Sequence, residues 1–191
     1  MKTKYKVIAL VGPSGCGKDT ILNKVLCADK ETKYFNRVVS YSSRPIRMGE
    51  EEGVAYHFIN PETFLDFFND NSIVEMVEFN NWFYGTTYNC YSEDKINIGI
   101  FDPTRLEILL ANADMDVTVC YVLTRDNIRL IRQLSREDFP NIEEIFRRYR
   151  ADQEDFEDIE EFCPNLIYLP NNEPSDLVQA VQTLGALGKN G

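Results

Sequence analysis

The amino-acid sequence predicts an α/β fold in which a parallel β-sheet carries helices on both faces. The first observation is the short apolar run Tyr5–Val11, which is rich in β-forming residues and ends at a glycine, as is typical of a buried parallel strand. The second is the segment 18–27, where apolar residues recur at helical spacing directly after a glycine-rich loop. The third is the continued alternation of strand and helix patterns, which favours a parallel sheet covered on both sides.

The alternation can be followed element by element. A helix is predicted to begin at Asn60, an N-cap residue that is followed by proline and then an acid. Asn141 is predicted to cap a long helix, with Glu144 three residues on as in a capping box, and the apolar period continues to Ile159. The other predicted strands are 73–79, 96–101, 117–123 and 166–169, and the other helices are 104–111, 126–134 and 175–184.

A segment from about residue 42 to residue 97 interrupts this alternation with mixed β and helical patterns. The length of the chain suits one compact domain. We therefore expect a single domain over 1–191, whose core is formed by 1–40 and 98–191. A mixed α+β subdomain over 41–97 is inserted into that core.

Charge and hydropathy exclude several classes of protein. The 191 residues include 31 acidic and 20 basic side chains, a formal net charge of −11. This charge argues against a surface that coats nucleic acid or an anionic membrane, because the field would repel both. Hydrophobic residues make up 43% of the chain, enough to bury a core and to exclude wholesale disorder. The longest apolar stretch, 7–11, is too short to span a membrane, and no signal-peptide pattern is present.

The cysteines and the single histidine argue against disulfide bonds, a zinc site and a Ser-His-Asp hydrolase. The five cysteines form no C-x-x-C pair, so we expect reduced thiols in a cytoplasmic protein and no zinc site. His57 is the only histidine, which nearly excludes a Ser-His-Asp hydrolase. We assign His57 no catalytic role.

A glycine-rich loop between the first strand and the first helix is the strongest functional motif. Residues 12–18 fit the pattern G-x-x-x-x-G-K, and the flanking strand and helix supply the context that a bare pattern lacks. Glycines let backbone N–H groups turn inward around a phosphate, the helix N-terminus adds positive charge, and Lys18 reaches the outer phosphates. The predicted ATP-binding residues of this region are Gly12, Pro13, Ser14, Gly15, Cys16, Gly17, Lys18, Asp19 and Thr20.

Asp19 stands where the usual motif has a serine or threonine that binds Mg²⁺. Two interpretations stay open. Asp19 binds the metal directly or through water, since a carboxylate is a good hard ligand. Alternatively, Asp19 favours the start of the helix, and Thr20 or a distant acid handles the metal.

A second cluster of polar and aromatic residues lies in the inserted segment. Arg44 and Arg47 are close enough to converge on one dianionic phosphate, a geometry that guanidinium forks suit. Tyr56 and Tyr84 add phenol donors, and Glu75 lies between them in a largely apolar strand. The alternatives are ion pairs between the arginines and neighbouring glutamates, packing roles for the tyrosines, and an exposed strand position for the acid.

Taken together, these motifs resemble those of the guanylate kinase family of P-loop nucleoside monophosphate kinases. The family pattern has a GPSGxGK loop, a stretch S-x-T-T-R-x-x-R-x-G-E-x-x-G-x-x-Y-x-F, an acidic strand residue and Y-G-T. The chain follows it in order, with Ser42 and Ser43 in place of the two threonines. The resemblance implies a P-loop NTPase-type sheet, an inserted subdomain over 41–97 that binds the nucleoside monophosphate, and a helical lid over 126–150.

The resemblance also implies a role for each matched residue. The residues that would hold the 5′-phosphate of the acceptor are Arg44, Arg47, Tyr56 and Tyr84. Those that would contact its guanine are Ser40, Glu75, Thr86 and Asp102. One carboxylate can accept both the N1–H and the 2-amino group of guanine, whereas adenine offers no such donor pair, so Glu75 would discriminate between the bases. Those that would assist catalysis are Lys18, Arg44, Arg132, Arg136 and Arg148. Asn171 is matched, by position, to a contact with ATP.

The lid prediction rests on the spacing of arginines. Arg132 and Arg136 lie four residues apart at a helix end, and Arg148 lies on the next helix. Phosphoryl transfer needs in-line positioning and positive charge, and arginines on a mobile segment arrive only when both nucleotides are bound. For Arg147 and Arg150 we favour a solvated helix face with i,i+4 ion pairs.

One departure from the family pattern concerns its Asp-x-Asp motif. Here the corresponding positions read Ile100-Phe101-Asp102, so one carboxylate is missing. Our hypothesis is that the carboxylate near the metal has moved from the strand to the loop, as Asp19.

The expected function is transfer of the γ-phosphoryl group of ATP, with Mg²⁺, to GMP or dGMP. The acceptor phosphate is already ionised, so no protein base is required. One alternative is a kinase of another phosphorylated acceptor, either a different dNMP or ribose 1,5-bisphosphate, whose kinases resemble the stretch 104–106 and also have aspartate after the loop lysine. Another is a non-catalytic binding module, which the intact Lys18 argues against. No nucleic-acid or membrane partner is expected, and the oligomeric state is left open.

Overall fold

A computed structural model of the chain describes residues 3–29, 33–47, 49–136 and 138–190. The strands are β1 (Tyr5–Val11), β2 (Phe35–Arg37), β3 (Tyr41–Ser42), β4 (His57–Phe58), β5 (Ile73–Phe79), β6 (Trp82–Thr87), β7 (Ile96–Ile100), β8 (Met115–Leu123) and β9 (Ile167–Pro170). The helices are α1 (Lys18–Ala28), α2 (Pro61–Asn69), α3 (Pro103–Ala111), α4 (Asp126–Leu134), α5 (Ile142–Asp155), α6 (Ile159–Phe162) and α7 (Pro174–Asn190).

The main sheet is parallel throughout, with the strand order β2-β7-β1-β8-β9. Because side chains alternate along a strand, β1 contributes to two cores. Val7, Ala9 and Val11 pack with residues of α3 and α6, whereas Ile8 and Leu10 pack with residues of α1 and α7. Helices therefore cover both faces, and the predicted fold class is confirmed.

A second, smaller sheet lies within the inserted segment, with the strand order β4-β3-β6-β5. It is mixed, since β3 pairs parallel with β4 but β6 pairs antiparallel with both β3 and β5. Asn80 and Asn81 join β5 to β6 with φ angles of 51° and 62°, as a two-residue hairpin turn requires. The register of this hairpin places Glu75 opposite Thr86.

One helix ends earlier in the structure than the sequence predicts. The long helix expected to continue to Ile159 ends instead at Asp155, and a turn separates it from the short α6. The turn brings Ile159 into the core, where it is 4% exposed, and sets the ring of Phe156 edge-on to that of Tyr121. Core packing therefore interrupts an apolar period that could otherwise have continued as one helix.

Two further expectations concern thiols and membranes. All five cysteines are free, and three of them are buried: Cys16, Cys120 and Cys163. In the described ranges, no helix combines the length and the apolar character that crossing a membrane demands.

Candidate active site

The glycine-rich loop joins β1 to α1 and leaves an open cradle of backbone groups. Gly17, at the start of α1, has a φ of 100°, and a Cβ atom there would lie 2.4 Å from the side-chain nitrogen of Asn171. Lys18 folds back over the loop, where its Nζ donates to the carbonyl oxygens of Gly12 at 2.5 Å and Pro13 at 3.3 Å. The loop therefore has the glycine conformations and the lysine position expected of a phosphate cradle.

Three side chains from later in the chain hold the loop in place through hydrogen bonds to the carbonyl oxygen of Cys16. It accepts from Asn171 Nδ2 at 2.7 Å, from Thr124 Oγ1 at 3.1 Å and from Arg132 Nη1 at 3.3 Å. Asn171 is only 4% exposed, so its amide supports the loop conformation rather than facing solvent. The contact with ATP predicted for Asn171 stays a prediction.

Replacing Asn171 with alanine is expected to lower the free energy of unfolding by about 1–3 kcal/mol, because one buried donor to the loop is lost. Urea unfolding would measure this, with nucleotide titration to follow ATP affinity. The matched control is Asn172→Ala, which removes an amide whose oxygen accepts from the backbone N–H of Arg125. Equal effects of the two substitutions on stability and on ATP affinity would contradict the anchoring role.

Helices α4 and α5 are connected to the loop through two residues that sequence reasoning missed. The carboxylate of Asp152, on α5, accepts from the Ser14 backbone N–H at 2.9 Å, from the Ser14 hydroxyl at 3.2 Å and from Arg129 Nη2 at 2.7 Å. Arg129, on α4, is 2% exposed and also donates to the Ser14 carbonyl at 3.0 Å. Arg129 lies one helical turn before Arg132, so helical spacing from the predicted lid arginine was the available signal.

Replacing Asp152 with alanine is expected to destabilise the protein by about 2–3 kcal/mol, because the buried guanidinium of Arg129 loses a charged hydrogen-bond partner. Arg129 keeps its 2.8 Å contact with Asp126, which limits the loss. Thermal unfolding compared with Glu154→Ala, an exposed acid on the same helix, would test this. Equal melting temperatures for the two variants would show that the contact contributes nothing.

The predicted phosphate-binding residues of the inserted segment form a compact cluster. Arg44 is 6% exposed and its guanidinium lies 5.1 Å from the ring centre of Tyr56. Tyr56 in turn contacts Tyr84 edge-to-face at 5.8 Å. Arg44 also makes two hydrogen bonds to Glu50, at 2.6 and 2.7 Å, which hold the pKa of that carboxyl below its usual value. Arg47 is exposed, and its backbone N–H donates to the same carboxylate at 2.9 Å.

A cleft of about 580 Å³ is lined by this cluster, by Ser14 of the loop and by residues of α5. The predicted site residues that line it include Ser14, Arg44, Arg47, Tyr56, Tyr84 and Arg148. Arg147, for which the sequence favoured a solvated face, lines it as well. Hydrogen bonds from Arg147 and Arg148 lower the pKa of Glu144 to about 2, so one carboxylate holds both arginines. Arg136 is exposed and is not among the residues that line the cleft.

Three of the four residues predicted to contact guanine, Ser40, Glu75 and Thr86, come together around an arginine. Arg105 donates from Nε and Nη2 to the two oxygens of Glu75, at 2.7 and 2.6 Å. Its Nη2 also donates to Ser40 Oγ at 2.7 Å, and Thr86 Oγ1 donates to Glu75 at 2.8 Å. Asp102 caps α3 by accepting from the Arg105 backbone N–H at 2.9 Å. Ser40, Glu75, Thr86 and Arg105 form a buried network of hydrogen bonds, whereas Asp102, at its edge, is half exposed and lines the cleft.

Comparison with known proteins decides the family. A protein-family model described as guanylate kinase matches residues 4–184. The chain belongs to the guanylate kinase family.

Individual relatives agree with this assignment. A guanylate kinase of Helicobacter hepaticus is 42% identical over 85 residues, which are 44% of this chain and 41% of that relative. A guanylate kinase of Campylobacter jejuni is 26% identical over 191 residues, covering 98% of this chain and 88% of the relative. A crystal structure of guanylate kinase from Anaplasma phagocytophilum has the same fold, with a TM-score of 0.66 at 19% identity. It covers 99% of this chain and 87% of that one.

The arginine at the centre of this network is Arg105. It is 4% exposed and stands between Glu75 and the cleft that it helps to line. Sequence reasoning noted the stretch 104–106 only as a likeness to ribose bisphosphate kinases, and gave Arg105 no role. The N-cap at Asp102 was the local signal, because it fixes which residues of the first turn of α3 face the inserted sheet.

The predicted metal site in this member of the guanylate kinase family has few side chains that could bind a metal ion. Asp19 and Thr20 are both exposed on the first turn of α1, beside the loop. Over the part of the chain that the structure describes, no three acidic, histidine or cysteine side chains are grouped as metal ligands. Mg²⁺ is commonly held by one or two carboxylates together with substrate phosphates, and a single exposed aspartate beside a phosphate loop fits that arrangement.

Proposed function

We propose that the protein transfers the γ-phosphoryl group of ATP to GMP or dGMP, giving GDP or dGDP. The main support for this proposal is that Ser14 of the loop lines the same cleft as Arg44, Tyr56 and Tyr84. A phosphate loop and a separate cluster of arginine and tyrosine donors suit two phosphorylated ligands that face each other. Family membership over residues 4–184 supports the same reaction.

In the proposed reaction the chain holds the phosphates of the two nucleotides in position and supplies positive charge near the transferring group. Lys18 and the loop N–H groups hold the phosphates of ATP, and Arg44, Arg47 and the two tyrosines hold the phosphate of the acceptor. Arg148, at the lid side of the cleft, places positive charge near the transferring group. The acceptor phosphate is the nucleophile and is already ionised, so no side chain needs to remove a proton.

Mg²⁺ is part of the proposal, with Asp19 as the residue of this chain that would hold it directly or through water. The ion would neutralise charge on the phosphates. The proposal keeps the ATP contact predicted for Asn171. It also keeps the catalytic assistance predicted for the lid residues Arg132 and Arg136. We also propose that the protein acts in the cytoplasm, since its five cysteines are free thiols.

A coupled assay of ADP release, run with GMP, dGMP, AMP and ribose 1,5-bisphosphate as acceptors, tests the proposed reaction. We expect GMP or dGMP to be used at least about 10²-fold better than AMP, because a site built for one base edge rejects another strongly. Preferred use of ribose 1,5-bisphosphate would replace this function with the related sugar kinase. Failure to bind ATP in calorimetry would instead indicate a non-catalytic module.

A further inference from the structure

The hydrogen-bond donors of Ser14, in the glycine-rich loop, are occupied by a carboxylate from a distant part of the chain. Asp152, on α5, accepts from the Ser14 backbone N–H through Oδ2 at 2.9 Å and from the Ser14 hydroxyl through Oδ1 at 3.2 Å. A loop of this kind binds anions through such donors, and carboxylate and phosphate oxygens are both anionic acceptors. Asp152 therefore fills a position that a phosphate oxygen would use.

This position faces the arginine and tyrosine cluster of the inserted segment. Of residues 12–18, all of which the structure describes, Ser14 is the one that lines the cleft together with Arg44 and Tyr56. In the proposed reaction the γ-phosphoryl group passes from the loop to the acceptor phosphate, so it must lie on the side of the loop that faces this cluster. The other two phosphates of ATP lie further along the loop, toward the N-terminus of α1. Asp152 consequently occupies the place of the phosphoryl group that distinguishes ATP from ADP.

Two residues of α4 hold Ser14 and Asp152 in this arrangement. Arg129 donates from Nη2 to Asp152 at 2.7 Å and from Nε to the Ser14 carbonyl oxygen at 3.0 Å. Gln133 Nε2 donates to the same carbonyl oxygen at 3.4 Å. Because the ion pair with Arg129 does not involve the donors of Ser14, Asp152 can release Ser14 without becoming an unpaired buried charge. An incoming anion can therefore break the contact.

We infer that the contact between Asp152 and Ser14 is autoinhibitory, because Asp152 competes with the γ-phosphoryl group of ATP for the donors of Ser14. This inference rests on the proposed function, since it assumes that ATP binds in the loop. ATP has to break the contact, whereas ADP, which lacks the γ-phosphoryl group, leaves it in place. The apparent Kd of a ligand is raised when only a fraction of the protein is competent to bind it. A contact formed in about 90% of the molecules would weaken ATP binding about tenfold.

The variant Asp152→Asn removes the charge of this side chain and keeps its shape. The amide oxygen can still accept from the Ser14 backbone N–H and from Arg129, and the amide nitrogen can donate to the Ser14 hydroxyl. The contact is nevertheless weaker, because hydrogen bonds with a charged partner are about twice as strong as neutral ones. We expect the Kd of ATP, measured by calorimetry with Mg²⁺, to fall about fivefold to tenfold, and the Kd of ADP to change less than about twofold.

The matched control is Asp155→Asn, which removes the same charge from the same helix. Asp155 lies one turn after Asp152 and lines the same cleft, but it is not among the hydrogen-bond partners of Ser14 in the described residues. Its exposed charge acts on both nucleotides through solvent, so we expect the Kd values of ATP and ADP to change by similar factors, below about threefold. The ratio of the two Kd values therefore reports on the contact at Ser14.

A measurement on the unaltered protein does not depend on how the variants fold. The NMR signal of the Asp152 carboxyl carbon is expected to shift when ATP binds with Mg²⁺ and without an acceptor, because the carboxylate then loses both bonds to Ser14. With ADP the signal is expected to stay near its nucleotide-free position. Equal shifts with the two nucleotides, or no shift with ATP, would contradict the competition.

The inference is overturned if Asp152→Asn changes the Kd values of ATP and ADP by the same factor, or if it weakens ATP binding. In either case the proposed function stands as long as the unaltered protein binds ATP and phosphorylates GMP in the ADP-release assay. If the unaltered protein does not bind ATP, the proposed function fails and the inference fails with it. The behaviour of the unaltered protein therefore distinguishes the two failures.

Discussion

Replacing Glu75 with alanine is expected to lower the free energy of unfolding by about 3–5 kcal/mol, because the buried guanidinium of Arg105 would lose its carboxylate. The side chains of Arg105 and Glu75 are almost fully enclosed, at 5% and 0% exposure. Urea unfolding at neutral pH gives the measurement. A loss below about 1 kcal/mol would show that Arg105 reaches solvent when its partner is removed.

The matched comparison is the paired variant Glu75→Met/Arg105→Met. Replacing a buried ion pair by apolar side chains of similar size is often neutral or stabilising, so we expect this variant to lie within about 2 kcal/mol of the unaltered protein. A double-mutant cycle with the single variants isolates the interaction between the two side chains. Additive effects of the single variants would contradict the coupling.

A pH dependence distinguishes the two single variants. Burial raises the pKa of the Glu75 carboxyl, and the charge of Arg105 opposes that rise. In the Arg105→Ala variant the charge that lowers the pKa of Glu75 is absent. The pKa of Glu75 in the folded protein then lies above its pKa in the unfolded chain. The stability deficit is then largest above the folded-state pKa and shrinks as pH falls through it, because the protonated carboxyl is neutral. Glu75→Ala has no such group and is expected to show no comparable recovery.

Replacing Lys18 with alanine is expected to reduce turnover by about 10²–10³, because the loop would lose the side-chain charge that we propose reaches the outer phosphates. Lys24→Ala, which removes an exposed lysine from the same helix, is the control and is expected to leave turnover unchanged. The ADP-release assay at saturating GMP gives both values. A Lys18→Ala enzyme with turnover within about threefold of the control would place phosphate binding elsewhere.

The features that the sequence predicts well are those fixed by neighbouring residues. β1 has the bounds Tyr5–Val11 that its apolar run indicates, and α1 begins at Lys18, directly after the glycines. Asn60 caps α2 as predicted, accepting from the Thr63 backbone N–H at 2.8 Å. The strands β2, β3 and β4 were not predicted, because two or three residues carry no period and pair only through distant partners.

The same distinction applies within the site. The loop and the arginine-tyrosine cluster each lie in a continuous motif, so their composition reveals them. Arg105 and Glu75 are 30 residues apart and meet only because α3 packs beside the hairpin. Asp152 is 138 residues from Ser14, and no local sequence pattern predicts that contact. Interactions between distant residues are decided by the packing of elements, which spacing along the chain does not specify.

The central position of β1 has a consequence for how the protein is made. Val7 lies beside Asn97 in one neighbouring strand and Val117 in the other, so the first strand to be synthesised waits about 110 residues for its second partner. At ordinary translation rates that interval is on the order of ten seconds. The amide of Asn171, which anchors the phosphate loop, emerges later still. A nascent chain therefore carries this apolar strand without either neighbour until about half of the chain has been made, and the glycine-rich loop gains its Asn171 anchor near the end.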